Sequence, residues 1–536
     1  MKGKDSDSLI LNTCGGWLSD LIKKYRTPLL SALTVCLLTY MFTLTNKLVN
    51  FDDVYCVFSR GGTLESGRWG LYMIWRFLPN LSMPWLHGIL TVVLLCVSAC
   101  VIVSAFEIRS GLIQCLVSGL FVSFPSMIGI ITYMFDASAY AFALLFCVVS
   151  VALVLKLLSK GFVKDNGIKY AVLYTLAAIS LCALSLSIYQ AFFALYAALF
   201  LIAIIRDLLY SEEQVGQVFR KGLLMLCFLA AAFLAYYVVL LFFWYRHHMT
   251  GGSYMAHMTD TGNQSVLELF CNVYLFLPRE LASGAYGLIS TRLSQVGHLL
   301  IFGYVLFDFV FTAVRRKVWR SLFAAAVLLL LPLSVCAFLI VSGKNAHSLM
   351  FFSFTAYYIL VGVMLDARIA KKTAENRRLS LRSLLLNVTT ITMAFLIGNS
   401  IFVGNSAFLK LYLAYENSYS FYGTIVTQVK SLPDLNKDSK LAIIGEATEF
   451  VTDFDQFPAS DSIMGATGFE VNDYSYDRFI KNFLGFSISF ASQEEVESVT
   501  TSETFQQMPV YPYHGSVQII DNIVVVKLSD PKEPER

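Results

Sequence analysis

Asp52 and Asp53 stand side by side in Phe51-Asp52-Asp53-Val54-Tyr55, and three arginines, Arg60, Arg68 and Arg76, follow in the same stretch. The stretch comes directly after the first long apolar run of the chain. Charged groups beside a membrane persist where they line an aqueous or protein-walled cavity, because unpaired charge in hydrocarbon costs several kcal/mol. A carboxylate in such a cavity suits general-base work. A guanidinium suits a bound phosphate, to which it donates two parallel N–H bonds. Salt bridges at the level of the lipid headgroups account for the same residues, so both readings are open on spacing alone.

Further candidates lie at the ends of later apolar runs. Ser187-Ile188-Tyr189-Gln190 sits at a hairpin between two of them, where Gln190 can hydrogen-bond a sugar hydroxyl and Tyr189 offers a stacking face. An interfacial belt tyrosine and a turn-capping glutamine are the alternative. Asp136 follows Tyr133 in the next loop of the same side, either as another carboxylate of the site or, slightly favoured, as a helix N-cap ahead of Ala137. Lys344 and His347, and likewise Arg246-His247-His248, are placed to meet a lipid phosphate. Adjacent histidines project differently and make a poor metal pair. Asp453-Phe454-Asp455 has the DxD form used to hold a metal and a diphosphate, but a solvated acidic turn is the stronger reading of three residues.

The elements that must position these groups are membrane helices. Of 536 residues, 57% are hydrophobic and only 14% charged, with a mean hydropathy of +0.64; soluble chains carry nearer a quarter charged residues. A net charge of +3, with the basic residues spread by topology rather than gathered in a patch, argues against nucleic acid as a partner. The 11 cysteines mostly fall in apolar runs without metal-ligand spacing, so no metal site is expected; Cys56 and Cys271 are the one pair considered for a bridge. Residues 1–26 are mixed and polar and do not read as a cleavable signal peptide.

Apolar runs near 27–48, 86–106, 111–132, 137–157, 168–187, 189–206, 221–245, 297–315, 321–342, 346–366 and 383–403 each approach the ~20 residues that cross a bilayer. Eleven spans are expected, give or take one. With the N-terminus inside, the inner segments up to Arg382 hold 23 Lys and Arg and the outer segments eight, the asymmetry that sets orientation. The acidic stretch, the loop 246–296 (with an interfacial or re-entrant helix near Phe270–Pro278) and everything after about 404 then lie outside. Four regions result: a cytoplasmic arm 1–26, a membrane domain 27–404, a helical linker 405–432 and an extracytoplasmic α/β domain 433–536. In the last, the runs 441–444, 517–520 and 523–526 read as strands, with Asp521-Asn522 as a hairpin turn.

Taken together, the Phe-Asp-Asp after the first span, the following arginine, Gly67-Arg68-Trp69 and the Tyr-Gln hairpin of 187–193 resemble the GtrII-type glucosyltransferases. Those belong to the membrane glycosyltransferases of the GT-C fold and modify O-antigen and other surface polysaccharides. The likeness covers about 25–405. It implies a mainly α polytopic bundle that transfers a hexosyl group, often glucosyl, from a polyprenyl-phosphate donor to a surface polysaccharide or its lipid-linked precursor. The place implied is the outer face of a bacterial cytoplasmic membrane, with no cofactor beyond the lipid-linked donor itself. In that frame Asp52 or Asp53 is the base, with Asp53 favoured by a small margin. Arg68 is the first choice for the donor phosphate, with Arg60, Arg76 and Lys344 as further candidates; Trp69, Asp136, Tyr189 and Gln190 contact substrate. The competing reading is a transporter or flippase of lipid-linked saccharides, for which broken helices with midplane charges would be expected; here the runs read as unbroken.

Overall fold

The computed structural model describes residues 19–56, 63–77, 81–249, 256, 260–261, 264–343, 346–372, 381–446, 463, 465 and 475–531. The chain divides into two compact units, one of Met1–Lys47, Arg60–Phe408 and Pro458–Gly465, the other of Leu48–Ser59, Leu409–Phe457 and Ala466–Arg536.

The first unit is a helical bundle. Its main helices are α1 (Arg26–Thr45), α3 (Trp69–Phe77), α4 (Ile89–Ala105, entered by a π turn Pro84–Gly88), α5 (Gly111–Ser123), α6 (Pro125–Thr132), α7 (Met134–Leu157), α8 (Ile168–Ile188) and α9 (Phe192–Tyr210); α2 (Phe51–Tyr55) belongs to the second unit. They continue with α10 (Val215–Arg246), α11 (Val266–Ser283), α12 (Arg292–Ala313), α13 (Val318–Val335), α14 (Phe338–Ser342), α15 (Thr355–Lys372) and the start of α16 (Leu381–Lys430). Among the described residues ten helices are long and apolar enough to cross a membrane, or eleven if α5 and α6 count as one bent span. Helices recur because an apolar run in lipid must satisfy its own backbone.

The expectation of unbroken spans fails in two places. α5 and α6 meet at 41°, where Phe124 takes ψ 138° because the ring of Pro125 bars the helical region to the residue before it. α13 ends at Cys336 just after Pro332, and the short α14 and a 3₁₀ segment Ser348–Phe354 carry the chain into α15. Charged groups lock one end of the bundle. Arg368 Nε lies 2.6 Å from Asp308 Oδ1, Tyr210 donates to Asp308 Oδ2 at 2.7 Å, and Arg320 donates to the last carbonyls of α9 at Leu208 (2.5 Å) and Asp207 (2.6 Å).

α11 answers to the helix expected in the loop 246–296. It begins in a Ser265/Glu268 capping box and ends at Gly284, and it leaves Val266, Leu267, Phe270 and Tyr274 exposed. The buried Glu280 carboxylate holds the turn beyond it, accepting from the backbone N–H groups of Tyr286, Leu288 and Ile289 at 2.7–2.9 Å. Cys56 and Cys271 are both free thiols, so the bridge between them is not made.

The second unit contains α2 (Phe51–Tyr55), the remainder of α16, α17 (Tyr476–Asn482), α18 (Gln493–Thr500) and a four-stranded sheet. The sheet order is β2 (Ser489–Phe490), β1 (Lys440–Ile444), β4 (Ile523–Lys527), β3 (Val517–Ile520), with β1 parallel to β2 and β4 and the β3–β4 hairpin antiparallel. Asp521 and Asn522 both take positive φ, 49° and 64°, the turn that matches strand twist. β4 alternates strictly. Val524 and Val526 face a core shared with Leu441, Ile425, Val429 and Phe479, while Ile523 and Val525 face Val499, Phe505 and Met508. Val49 and Val54, which flank the two carboxylates, are buried in the first of these cores. α16 is 50 residues long, about 75 Å at the usual rise, and the boundary between the units falls within it.

Candidate functional site

The Gly67-Arg68-Trp69 turn is moored to α10 and to the hairpin between α8 and α9. Tyr236 donates its hydroxyl to Gly67 O at 3.1 Å, Trp69 Nε1 donates to Tyr236 O at 3.3 Å, and Trp244 Nε1 donates to Leu64 O at 2.8 Å. Gln190 Nε2 donates to Ser66 O at 2.9 Å. The two glycines of the segment have steric reasons to be there. Gly67 takes φ +76°, and a Cβ would come within 2.9 Å of Tyr236 Oη; a Cβ at Gly70 would collide with Ser187 Oγ. Gly67→Ala is therefore expected to destabilise the fold by about 1–3 kcal/mol, the usual cost of a strained backbone site. Thermal unfolding of the purified variant measures this, and an unchanged midpoint would remove the constraint.

So held, Arg68 lies on the wall of a cavity of about 410 Å³ together with Tyr189, Gln190, Tyr236 and Ser342. Phe193, Phe233, Leu240 and Phe338 line its apolar remainder. The guanidinium sits 5.7 Å from the centre of the Tyr189 ring and donates from Nη1 to Tyr140 Oη at 3.3 Å. Tyr140 in turn donates to Asp136 Oδ2 at 3.4 Å, and Trp75 Nε1 donates to Asp136 Oδ1 at 2.8 Å. A carboxylate thus reaches Arg68 through one phenol, a chain that fixes the guanidinium on the cavity wall. Burial first, and the Arg68 charge second, hold His347 down to about 4. At neutral pH Arg68 therefore supplies positive charge to this region and His347 does not.

Of the candidates read from the sequence, Arg68, Tyr189 and Gln190 come together on one cavity. Asp136 stands one side chain behind Arg68. It is not an N-cap: Tyr133 holds that position and Asp136 lies inside the first turn of α7, where its carboxylate is directed at Trp75 and Tyr140. Trp69 packs on Phe243, ring centroids 5.8 Å apart, behind the turn. Arg76 is exposed, with Nη2 donating to Tyr72 Oη at 2.7 Å. His247 stacks on Phe243 at 6.3 Å. Arg60, Lys344 and the Asp453-Phe454-Asp455 motif lie outside the described residues.

Asp52 and Asp53 belong to the second unit. Asn50 caps the short α2, its side chain accepting from Asp53 N at 2.8 Å. Asp52 is half-buried, whereas Asp53 is 1% exposed. Among the described residues no group of three His, Cys, Asp or Glu side chains is arranged to hold a metal ion.

Tyr140, Tyr236 and Trp75 are not candidates in the sequence reading, because an aromatic residue in or beside an apolar run looks like any lipid-facing or belt residue. Tyr140 does carry a signal: it is four residues after Asp136, the spacing that puts two side chains on one helix face.

No curated protein and no solved structure matches the chain. The family model of glucosyl transferase GtrII matches residues 41–366, a range that includes the acidic stretch and every residue named around the Arg68 cavity, and that stops short of the sheet. With its membrane-spanning bundle and this match over more than half its length, the chain belongs to the GtrII glucosyltransferase family.

Proposed function

We propose that the glucosyl group comes from a polyprenyl-phosphate donor and goes to a surface polysaccharide or its lipid-linked precursor, on the outer face of a bacterial cytoplasmic membrane. The observation that carries this reading is Arg68, a guanidinium held by Tyr140 and Tyr189 on the wall of a largely apolar cavity. A donor whose sugar is tied to a lipid by one phosphate needs one well-placed cation and an apolar channel for its chain. A nucleotide donor would call for a base and ribose site as well.

As the anomeric C–O bond breaks, charge grows on the departing lipid phosphate. A fork of N–H donors aimed there stabilises the transition state more than the bound donor. Tyr189 and Gln190, which line the same cavity, are the residues proposed to meet the sugar. The base that takes the acceptor's proton is Asp52 or Asp53, an assignment that rests on family resemblance and on carboxylate chemistry. The excess of lysine and arginine on alternate loops supports a cytoplasmic N-terminus and an outer reaction face.

The test presents the purified protein, reconstituted in nanodiscs, with radiolabelled polyprenyl-phosphate glucose and, separately, with nucleotide-linked glucose. Transfer to a lipid-linked or polysaccharide acceptor is expected from the lipid donor alone. Equal turnover of the nucleotide sugar, without added lipid, would sink the proposal.

A further inference from the structure

A second cavity, of about 850 Å³, opens at the other end of the same helices. α7 carries Tyr140 beside the first cavity and Val149, Leu153 and Lys156 on the second. At 1.5 Å per residue, Tyr140 and Lys156 are about 24 Å apart along the axis. α10 repeats the relation, with Tyr236 and Leu240 on the first cavity and Lys221 and Met225 on the second. The polar end of the second cavity, at Lys156, thus lies most of a hydrocarbon layer about 30 Å thick away from Tyr140, toward the lysine-rich side, while the apolar parts of the two cavities approach each other along the same helices.

Its composition is two-part. Leu29, Val97, Val101, Val149 and Leu153 make an apolar wall, and four cations, Lys156, Lys160, Arg206 and Lys221, gather with three carboxylates, Glu107, Asp207 and Glu213. Two of the carboxylates are matched in place. Lys221 Nζ bridges Asp207 at 3.1 Å and Glu213 at 2.6 Å, and Arg206 lies 3.0 Å from Asp207. Lys160 reaches Glu213 only at 4.0 Å, with 69% of its side chain exposed. Lys156 sits over the Tyr174 ring at 5.7 Å. With Glu107 counted, four cations face three carboxylates, so the polar end carries one net positive charge beside the apolar wall.

We propose that this cavity binds an anionic phospholipid of the adjoining leaflet, its phosphate between Lys156 and Lys160 and an acyl chain along Leu29, Val97 and Val101. A free anion would use the lysines and leave the wall bare. A lipid without net charge would use the wall and leave the net positive charge of the polar end uncompensated; a lipid carrying negative charge uses both. The site is independent of the Arg68 cavity and of the identity of the sugar donor.

Native mass spectrometry of the full chain, titrated with phosphatidylglycerol, phosphatidylcholine or inorganic phosphate, tests it. The wild type is expected to retain phosphatidylglycerol in preference to phosphatidylcholine. Lys156→Gln with Lys160→Gln is expected to weaken phosphatidylglycerol binding about tenfold or more, since a lysine near a membrane surface contributes appreciably to holding anionic lipid. Val101→Trp, which narrows the apolar part, should weaken it while both lysines remain. Transfer activity and thermal midpoint of the lysine double variant should match the wild type. Undiminished phosphatidylglycerol binding by the double variant overturns the proposal. Equal retention of phosphatidylcholine by the wild type does so too, as does displacement of the lipid by millimolar inorganic phosphate, which would mark an anion site at the mouth only.

Discussion

Asp52→Asn is expected to slow glucosyl transfer by about 10²–10⁴-fold, the usual loss for a general base, with little change in thermal stability. Asp53→Asn is expected to lower the thermal midpoint as well as the rate. The reason for the asymmetry is burial. Asp52 is half-buried, so an acceptor hydroxyl has access to it, whereas Asp53 is 1% exposed in a helix whose neighbours Val49 and Val54 are core residues. A carboxylate so enclosed acts through its partners, and replacing it disturbs them. The sequence reading leans to Asp53 as the base; the difference in burial shifts the proposal to Asp52, with Asp53 as its orienting neighbour. Initial rates with a defined lipid donor and circular-dichroism melts of each variant separate the roles. Near-normal rates in both single variants and in the double variant would take the pair out of the mechanism.

Arg68→Ala should cost about 10²–10³-fold in kcat, comparable to removing a preorganised donor from an oxyanion site. Arg68→Lys should recover little of it, because the ammonium keeps the charge but not the planar fork. Tyr140→Phe is the informative companion. It removes the phenol that joins Arg68 to Asp136 and leaves the guanidinium itself in place. A loss confined to kcat, smaller than that of Arg68→Ala, is expected from a positioning residue. If Arg68→Ala folds and turns over normally, the phosphate site lies elsewhere and Arg60 or Lys344 inherits the role.

The spans were legible because hydropathy and length alone decide them, and the apolar runs of the sequence correspond in order to the helices found. The hairpin Asp521-Asn522 was legible for a similarly local reason, its need for two positive φ values. What local pattern cannot carry is long-range pairing. Val49 and Val54 read as ordinary residues of a loop after the first span, yet they are buried with Tyr422, Phe479 and Val524. Asp136 read as a cap because an acid before an apolar run often is one; Trp75, sixty-one residues earlier, gives it another task. The break at Phe124 was available in principle from Pro125, but a proline inside an apolar run also fits a kinked span, and hydropathy does not tell the two apart.

α10 spans 32 residues, about 48 Å, and exposes Phe219, Leu223, Leu226, Leu234, Val238 and Phe242 along its length. Between Lys221 and Arg246 its apolar stretch is about 36 Å long, and an apolar stretch longer than the hydrocarbon layer accommodates by tilting, to a degree that follows the thickness of the lipid. The Arg68 turn hangs from that rod at Tyr236 and Trp244. Catalytic geometry is sensitive to displacements of about 1 Å, so on the role proposed for Arg68 turnover is expected to vary with acyl-chain length, through the inclination of one helix.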